Sequence, residues 1–172
     1  MSNPAKFFFG AGVGCSVMIG LAFFGLIGLG LVTPSDEAVP GKSMAESDLE
    51  TLRELEILHE GERIIYFYSP GLFDISEGGS FFTDQRVVSY VQADAEDTLE
   101  QATYADIANI DVNYSEDWLE DSLIIATRHD GTEILMPVTN TERSDRRFFN
   151  RLLREWKAKS AAAAVGPEEV TQ

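Results

Sequence analysis

The chain has a single cysteine, Cys15, only two histidines, and 13 bases against 29 acids. One cysteine excludes an intramolecular disulfide, so cysteine usage does not mark a redox compartment. With His59 and His129 as the only imidazoles, no second histidine stands at i+4 of a first, and no cysteine follows Cys15. His59, Glu60 and Glu62 therefore lack the partners of a zinc site. The "ADAEDTLE" stretch lacks the alternating oxygens and glycine of a calcium loop. Neither histidine is spaced against a serine or cysteine as a nucleophile–base pair would be. The shortage of bases leaves a formal net charge of −16, which repels phosphate backbones and disfavours nucleic-acid binding.

What the chain does have is a long apolar run. Residues 7–32, "FFFGAGVGCSVMIGLAFFGLIGLGLV", carry no charge, and about 20 such residues suffice for a helix to cross the hydrocarbon core. The expectation is one uncleaved transmembrane helix after a short tail, 1–6. A cleaved signal peptide fits less well, because its apolar region runs to roughly 7–15 residues. A lipoprotein processed at Cys15 also fits poorly, since "GVG" precedes that cysteine. Lys6 on one side and Lys42 on the other leave the orientation open. Gly10, Gly14, Gly25 and Gly28 share one helical stripe, where small residues let helix backbones approach, or are ordinary membrane-helix glycines.

Residues 33–47, rich in Pro, Ser, Gly and acid, read as a linker. Leu49, Leu52 and either Leu55 or Leu58 mark a short amphipathic helix, with Ser47 or Asp48 as its cap. From Glu62 the period shifts to that of strands. "RIIYFYS" is apolar on both faces. "SFF" and "RVVSYV" flank the polar "TDQ". "IANIDVNY" alternates, with Ile110, Val112 and Tyr114 on one face. "SLIIATR" and "TEILMP" flank Asp130-Gly131, the signature of a tight hairpin. Gly78-Gly79 reads as a turn or bulge. In the last element, Phe149, Leu152, Leu153 and Trp156 recur at helical spacing behind a capping box of Thr139 and Glu142, with Thr141 or Ser144 as the other candidates. The soluble domain is expected over 48–159 and a disordered tail over 160–172.

Several pieces, in order, resemble bacterial pleckstrin-homology-like (PH-like) domains: "GERIIYFYS", "GGSFFTDQRVVSY", "YADIANIDV", "HDGTEI" and "RFFNRLL". The resemblance covers about residues 62–156. It implies a mainly β fold: a bent barrel of about seven strands, closed at one end by a C-terminal helix, here with one transmembrane helix in front. The "FTDQR" corner is its most specific piece. On physical grounds Thr83 and Asp84 are turn-makers that bond their own backbone, and Arg86 opens the next strand and pairs with an acid, so the corner reads as structural. Many PH domains hold phosphoinositides with bases near their first strands. Between Glu60 and Gln85 this chain has Arg63 alone, so such binding is not expected.

No catalytic, metal or cofactor residues emerge. Two features remain as a candidate partner surface. One is Trp118 and Leu119 in the acidic "NYSEDWLEDS" loop. The other is the basic face of the last helix, with Arg147, Arg151 and Arg154. The reading is a single-pass membrane protein, bacterial and of the inner membrane if the resemblance holds. It would act by protein interaction or self-association and not as an enzyme. The alternative is a domain that binds lipid or a small ligand at the membrane surface.

Overall fold

The computed structural model describes residues 37–70, 75–92, 97–117 and 119–164, the last three of these by backbone alone. The apolar segment 7–32 with its glycines Gly10, Gly14, Gly25 and Gly28, the loop residue Trp118 and the end of the tail, 165–172, lie outside the described residues. Among the described residues no helix is long and apolar enough to cross a membrane.

The fold is mainly β. Among the described residues eight strands form two antiparallel sheets, followed by a helix. The first sheet, in the order β1-β2-β3-β4-β5, contains β1 (Val39–Pro40), β2 (Ile64–Tyr68), β3 (Gly78–Thr83), β4 (Arg86–Val91) and β5 (Thr98–Thr103). The second, β6-β7-β8, contains β6 (Ile107–Asn113), β7 (Ser122–Arg128) and β8 (Glu133–Val138). Helix α1 (Glu46–Glu54) precedes β2, and α2 (Ser144–Ala164) ends the described chain. Among the described residues the two sheets do not join, β5 pairing only with β4 and β6 only with β7, so the single closed barrel expected from the resemblance gives way to a pair of sheets.

Between the sheets lies one core. Phe82 and Val87 of the first sheet meet Ile110, Ile124, Ala126, Ile134 and Met136 of the second. Phe148 and Leu152 of α2 complete this cluster, and both are fully buried. The expected helix stripe is thus corrected in register. The central ring is Phe148, stacked edge-on against Phe82 at 5.0 Å and Tyr66 at 6.1 Å. Phe149 and Trp156 pack at its margin, and Leu153 is not part of it. The physical reason is the Phe148-Phe149 doublet. Both residues stand at helical spacing from Leu152, and only the facing aromatic rings decide which one enters.

The outer face of the first sheet is covered too. Phe67, Phe81, Val88 and Tyr90 point away from the first core into a second one, made with Leu52 of α1 and with Ile57 and Leu58 of the turn after it. Every residue of β3 is buried. Part of the segment expected as linker helps to build this cover. Val39 pairs with Phe67, Ala38 is buried, and Pro40 sits in an edge strand where its missing donor costs nothing. Gly41 is needed here, because a Cβ would lie 2.0 Å from the Ile64 carbonyl oxygen.

Other local expectations are corrected. Helix α1 begins at Glu46 with Ala45 at its cap and no side-chain cap bond, so Ser47 and Asp48 lie in its first turn instead. Glu46 and Asp48 there complement the positive end of the helix dipole. Gly78 and Gly79 are regular members of β3, opposite Val91 and Tyr90, and not a turn. The Tyr90 ring lies across Gly79, where a Cβ would meet it at 3.0 Å. Thr139 and Glu142 form no capping box. The Thr139 hydroxyl accepts the Thr141 N–H, and Glu142 and Arg143 both adopt left-handed φ (52° and 59°) in a 3-10 turn before α2. The alanine run carries α2 to Ala164, past the expected domain end. The Asp130-Gly131 hairpin forms as its sequence indicates, with Gly131 at φ 83° and Asp130 accepting from the Thr132 N–H at 2.9 Å.

Candidate interaction surface

The β3–β4 corner comes first, because it decides where function is not. Its two-residue loop, Asp84-Gln85, has no glycine to supply a positive φ. Thr83 takes over that work: its Oγ1 accepts the N–H groups of Gln85 (3.0 Å) and Arg86 (3.1 Å). Asp84 ties the corner to the start of β2 by a reciprocal pair, accepting from Arg63 N–H at 3.1 Å and donating its own N–H to the Arg63 carbonyl at 3.0 Å. Tyr104 donates to the Thr83 carbonyl at 2.6 Å.

Arg86 does not reach solvent. It is 4% exposed and donates through Nε and Nη2 to the two carboxylate oxygens of Glu62, at 2.7 and 2.8 Å. The same Nη2 donates to the Ile57 carbonyl at 2.8 Å, and Nη1 donates to Gln101. Glu62 also accepts the His59 N–H at 3.2 Å. Burial alone would raise the Glu62 pKa. The Arg86 hydrogen bond and charge, with help from His59, outweigh it and hold the carboxyl below its ordinary 4.5. Nε, Nη1 and Nη2 of Arg86 are all engaged by the protein, so this arginine is held within the corner and not presented to a ligand. Thr83, Asp84 and Arg86 clasp β2, β5 and the α1 turn together.

The exposed features lie around loop 114–121, between β6 and β7. Leu119 is 59% exposed and Tyr114 38%. The loop is held in place by polar bonds. Asn140 donates from its amide to the carbonyls of Ser115 (3.3 Å), Asp117 (2.7 Å) and Glu120 (3.5 Å). Ser122 bridges the Ser115 N–H to the carboxylate of buried Asp145 in the first turn of α2. Tyr68 donates to both oxygens of Asp121, at 3.1 and 2.9 Å. Burial pushes the Asp121 carboxyl up to about 6, partly offset by the Tyr68 hydrogen bond.

Helix α2 stands beside this loop. Arg146 lies 4.4 Å over the Tyr114 ring, and Phe149 meets the same ring edge-on at 6.3 Å. Of the expected surface arginines, Arg147 pairs with Glu37 at 3.0 Å and Arg151 with Glu155 at 2.6 Å. Arg154 is exposed. The two features that the sequence presented separately, the acidic loop with Leu119 and the basic helix face, are therefore neighbours. Tyr114 and Arg146 join them.

No family model matches the chain, and no curated protein matches it. Among solved structures it is similar to a DUF1696 family protein with a pleckstrin-homology domain from Shewanella loihica. The likeness is at 14% identity and a TM-score of 0.37, and it covers 54% of this chain and 82% of that one.

Sequence reasoning missed Asn140, Tyr114 and Arg146 as parts of this surface. Asn140 gave no signal, since an asparagine after a strand reads as an ordinary turn residue. Tyr114 continues the alternation of β6 with Ile110 and Val112, which marked it for the inner face. Ile110 is buried, but the strand ends at Asn113 and Tyr114 turns to α2. Among the described residues, no three His, Cys, Asp or Glu side chains gather as metal ligands.

Proposed function

We propose that this chain is a membrane-anchored, PH-like interaction or assembly module without catalytic activity. Residues 7–32 would serve as its single membrane span. Consecutive antiparallel strands followed by a C-terminal helix keep the strand-then-helix order that the PH-like resemblance implies, in two sheets where the resemblance implied one barrel, and this order supports the fold assignment within the mainly β class. The anchor is supported by the uncharged apolar run.

One observation carries the functional reading: exposed apolar side chains on a loop fastened by a network of polar bonds, of which Ser122 to Asp145 is buried. Leu119 and Tyr114 are offered to solvent while Asn140, Ser122 and Asp121 fix the backbone that presents them. A surface already held in one conformation loses little entropy on binding, and aromatic and arginine side chains at its centre are the ones that anchor partners. The acids Glu60, Glu62, Glu77 and Asp84 that flank the first strands, with Arg63 the one base among them, and the engaged Arg86 speak against headgroup binding at the place where PH domains commonly do it.

The test uses the full chain in its own membranes. A photoreactive residue at position 119 gives discrete protein adducts. The same residue at 133, beyond the far end of β7, gives few. Equal adduct patterns from both sites would refute the reading. Headgroup-specific, salt-sensitive flotation with phosphoinositide liposomes would favour the lipid-binding alternative instead.

A further inference from the structure

Charge in this chain is sorted along the sequence. Residues 143–159 hold seven of its 13 bases but only two of its 29 acids. Helix α2 folds this stretch so that Phe148 and Leu152 are buried while Arg146, Arg147, Arg154 and Lys157 stay exposed. Against its first turns lies loop 114–121, with Glu116, Asp117 and Glu120 exposed around Leu119. The patch is therefore negative at the loop and positive along the helix. Tyr114 and Leu119 provide its apolar part, and Tyr114 touches both halves through Arg146 and Phe149.

A surface with this pattern is complementary to itself. A two-fold rotation about its middle lays the negative half of one copy over the positive half of another, and meets the same contact twice. We propose that the patch pairs with a second copy of this chain, loop 114–121 of each copy lying against the exposed basic face of α2 in the other. This rests on the reading of the chain as an interaction module and names its partner.

The arrangement selects a second copy over other anionic partners. A phosphate-rich polymer or an anionic lipid surface would meet the bases of α2, but the acidic loop fastened beside them would repel it. A partner carrying both signs in the same alternation avoids that clash, and a second copy carries them in the matching order. The exposed apolar residues give the contact a part that sheds water, as the centre of a specific interface does.

The test keeps the full chain in its membrane. Cys15→Ser removes the native thiol. One tagged copy then carries Leu119→Cys and a differently tagged copy carries Asn150→Cys, on the exposed side of α2. A short thiol crosslinker is expected to join the two tags. The yield should fall about tenfold or more at 1 M salt, where the Debye length shrinks to about 3 Å. Arg147→Glu with Arg154→Glu in both copies should lower it as much, because like charges then face each other. Pairing an Arg147→Glu/Arg154→Glu copy with a Glu116→Lys/Glu120→Lys copy should restore the adduct, which also shows that both variants fold. A yield unmoved by salt and by charge reversal overturns the proposal, as does an absent 119–150 adduct. If position 119 joins only a different protein, the second-copy assignment falls while the interaction reading stands. If it joins no protein at all, both fall.

Discussion

Replacing Arg86 by Met gives the sharpest test of how the corner is held. Methionine matches the unbranched stem of arginine but carries no charge and no donor. It leaves Glu62, whose side chain is 2% exposed, with its carboxylate buried and without the guanidinium that engages both oxygens. The Ile57 carbonyl and the Gln101 side chain lose a donor in the same step. Removing one partner of a buried pair costs about 3–5 kcal/mol, against a total domain stability of about 5–15 kcal/mol. The sign of the pH response should reverse as well. In the native protein the Glu62 pKa is held below 4.5, so its contribution is present above that value and is lost as pH falls through the lowered pKa. In Arg86→Met, burial is opposed only by the smaller contributions of His59 and should raise the Glu62 pKa, so acid should partly rescue the variant. Urea unfolding of residues 33–164, followed by tryptophan fluorescence between pH 4 and 8, measures both effects. Replacing both partners, Arg86→Met with Glu62→Leu, should recover most of the loss, since an apolar pair of similar volume leaves no buried charge. A single-variant loss under about 1 kcal/mol, with unchanged pH slope, would refute the claim that this buried pair fastens the corner.

Three further outcomes are expected. Phe148→Ala should destabilise the same fragment by about 3–5 kcal/mol, as the loss of a fully buried ring does, while Leu153→Ala should cost about 1 kcal/mol or less; comparable costs would put the wrong side of α2 in the core. Because burial raises the Asp121 carboxyl to about 6, its contribution to stability should grow as pH falls from about 7 toward the unfolded value of 3.8, and Asp121→Asn should abolish that dependence in unfolding curves. Mass spectrometry of the protein from membranes should find an N-terminus upstream of residue 7, and a start near Glu46 or at a lipidated Cys15 would show that the apolar segment is cleaved rather than retained.

What the sequence made legible depended on how the elements are buried. β7 and β8 bury one face each, and the Asp130-Gly131 turn fixes their register, so period and turn chemistry told the same story. β3 and β4 read as strands because "SFF" and "RVVSYV" flank a polar turn, yet nothing in their own residues said what covers the outer side of the sheet. That cover comes from Leu52, Ile57 and Leu58, and Pro and Gly near them gave the preceding stretch the look of a linker. A two-residue strand such as Val39–Pro40 has no period to detect. At the corner, an acid partner for Arg86 was foreseeable from charge, but its identity as Glu62 follows from the pairing of β2 with β3, which is a tertiary fact. Asn140 was invisible for a similar reason. Its amide is valuable only because loop 114–121 brings its carbonyls within reach.

The double cover of the first sheet also narrows where a partner can bind. An open sheet face would normally compete as a docking surface, but here α1 and its following turn bury Phe67, Phe81, Val88 and Tyr90. The inner face is filled by the second sheet and α2. Of the two bases at the corner, Arg86 is already engaged by Glu62, which leaves Arg63 as the exposed one. Of the large apolar side chains that remain exposed, Leu99 stands on β5, while Tyr114 and Leu119 share one loop beside the exposed arginines of α2. Apolar area, fixed backbone and exposed charge therefore coincide at the junction of loop 114–121 with α2. Among the described residues that combination is found nowhere else, which is why substitutions there should change association while leaving the fold intact, and substitutions at Arg86 or Phe148 should do the reverse.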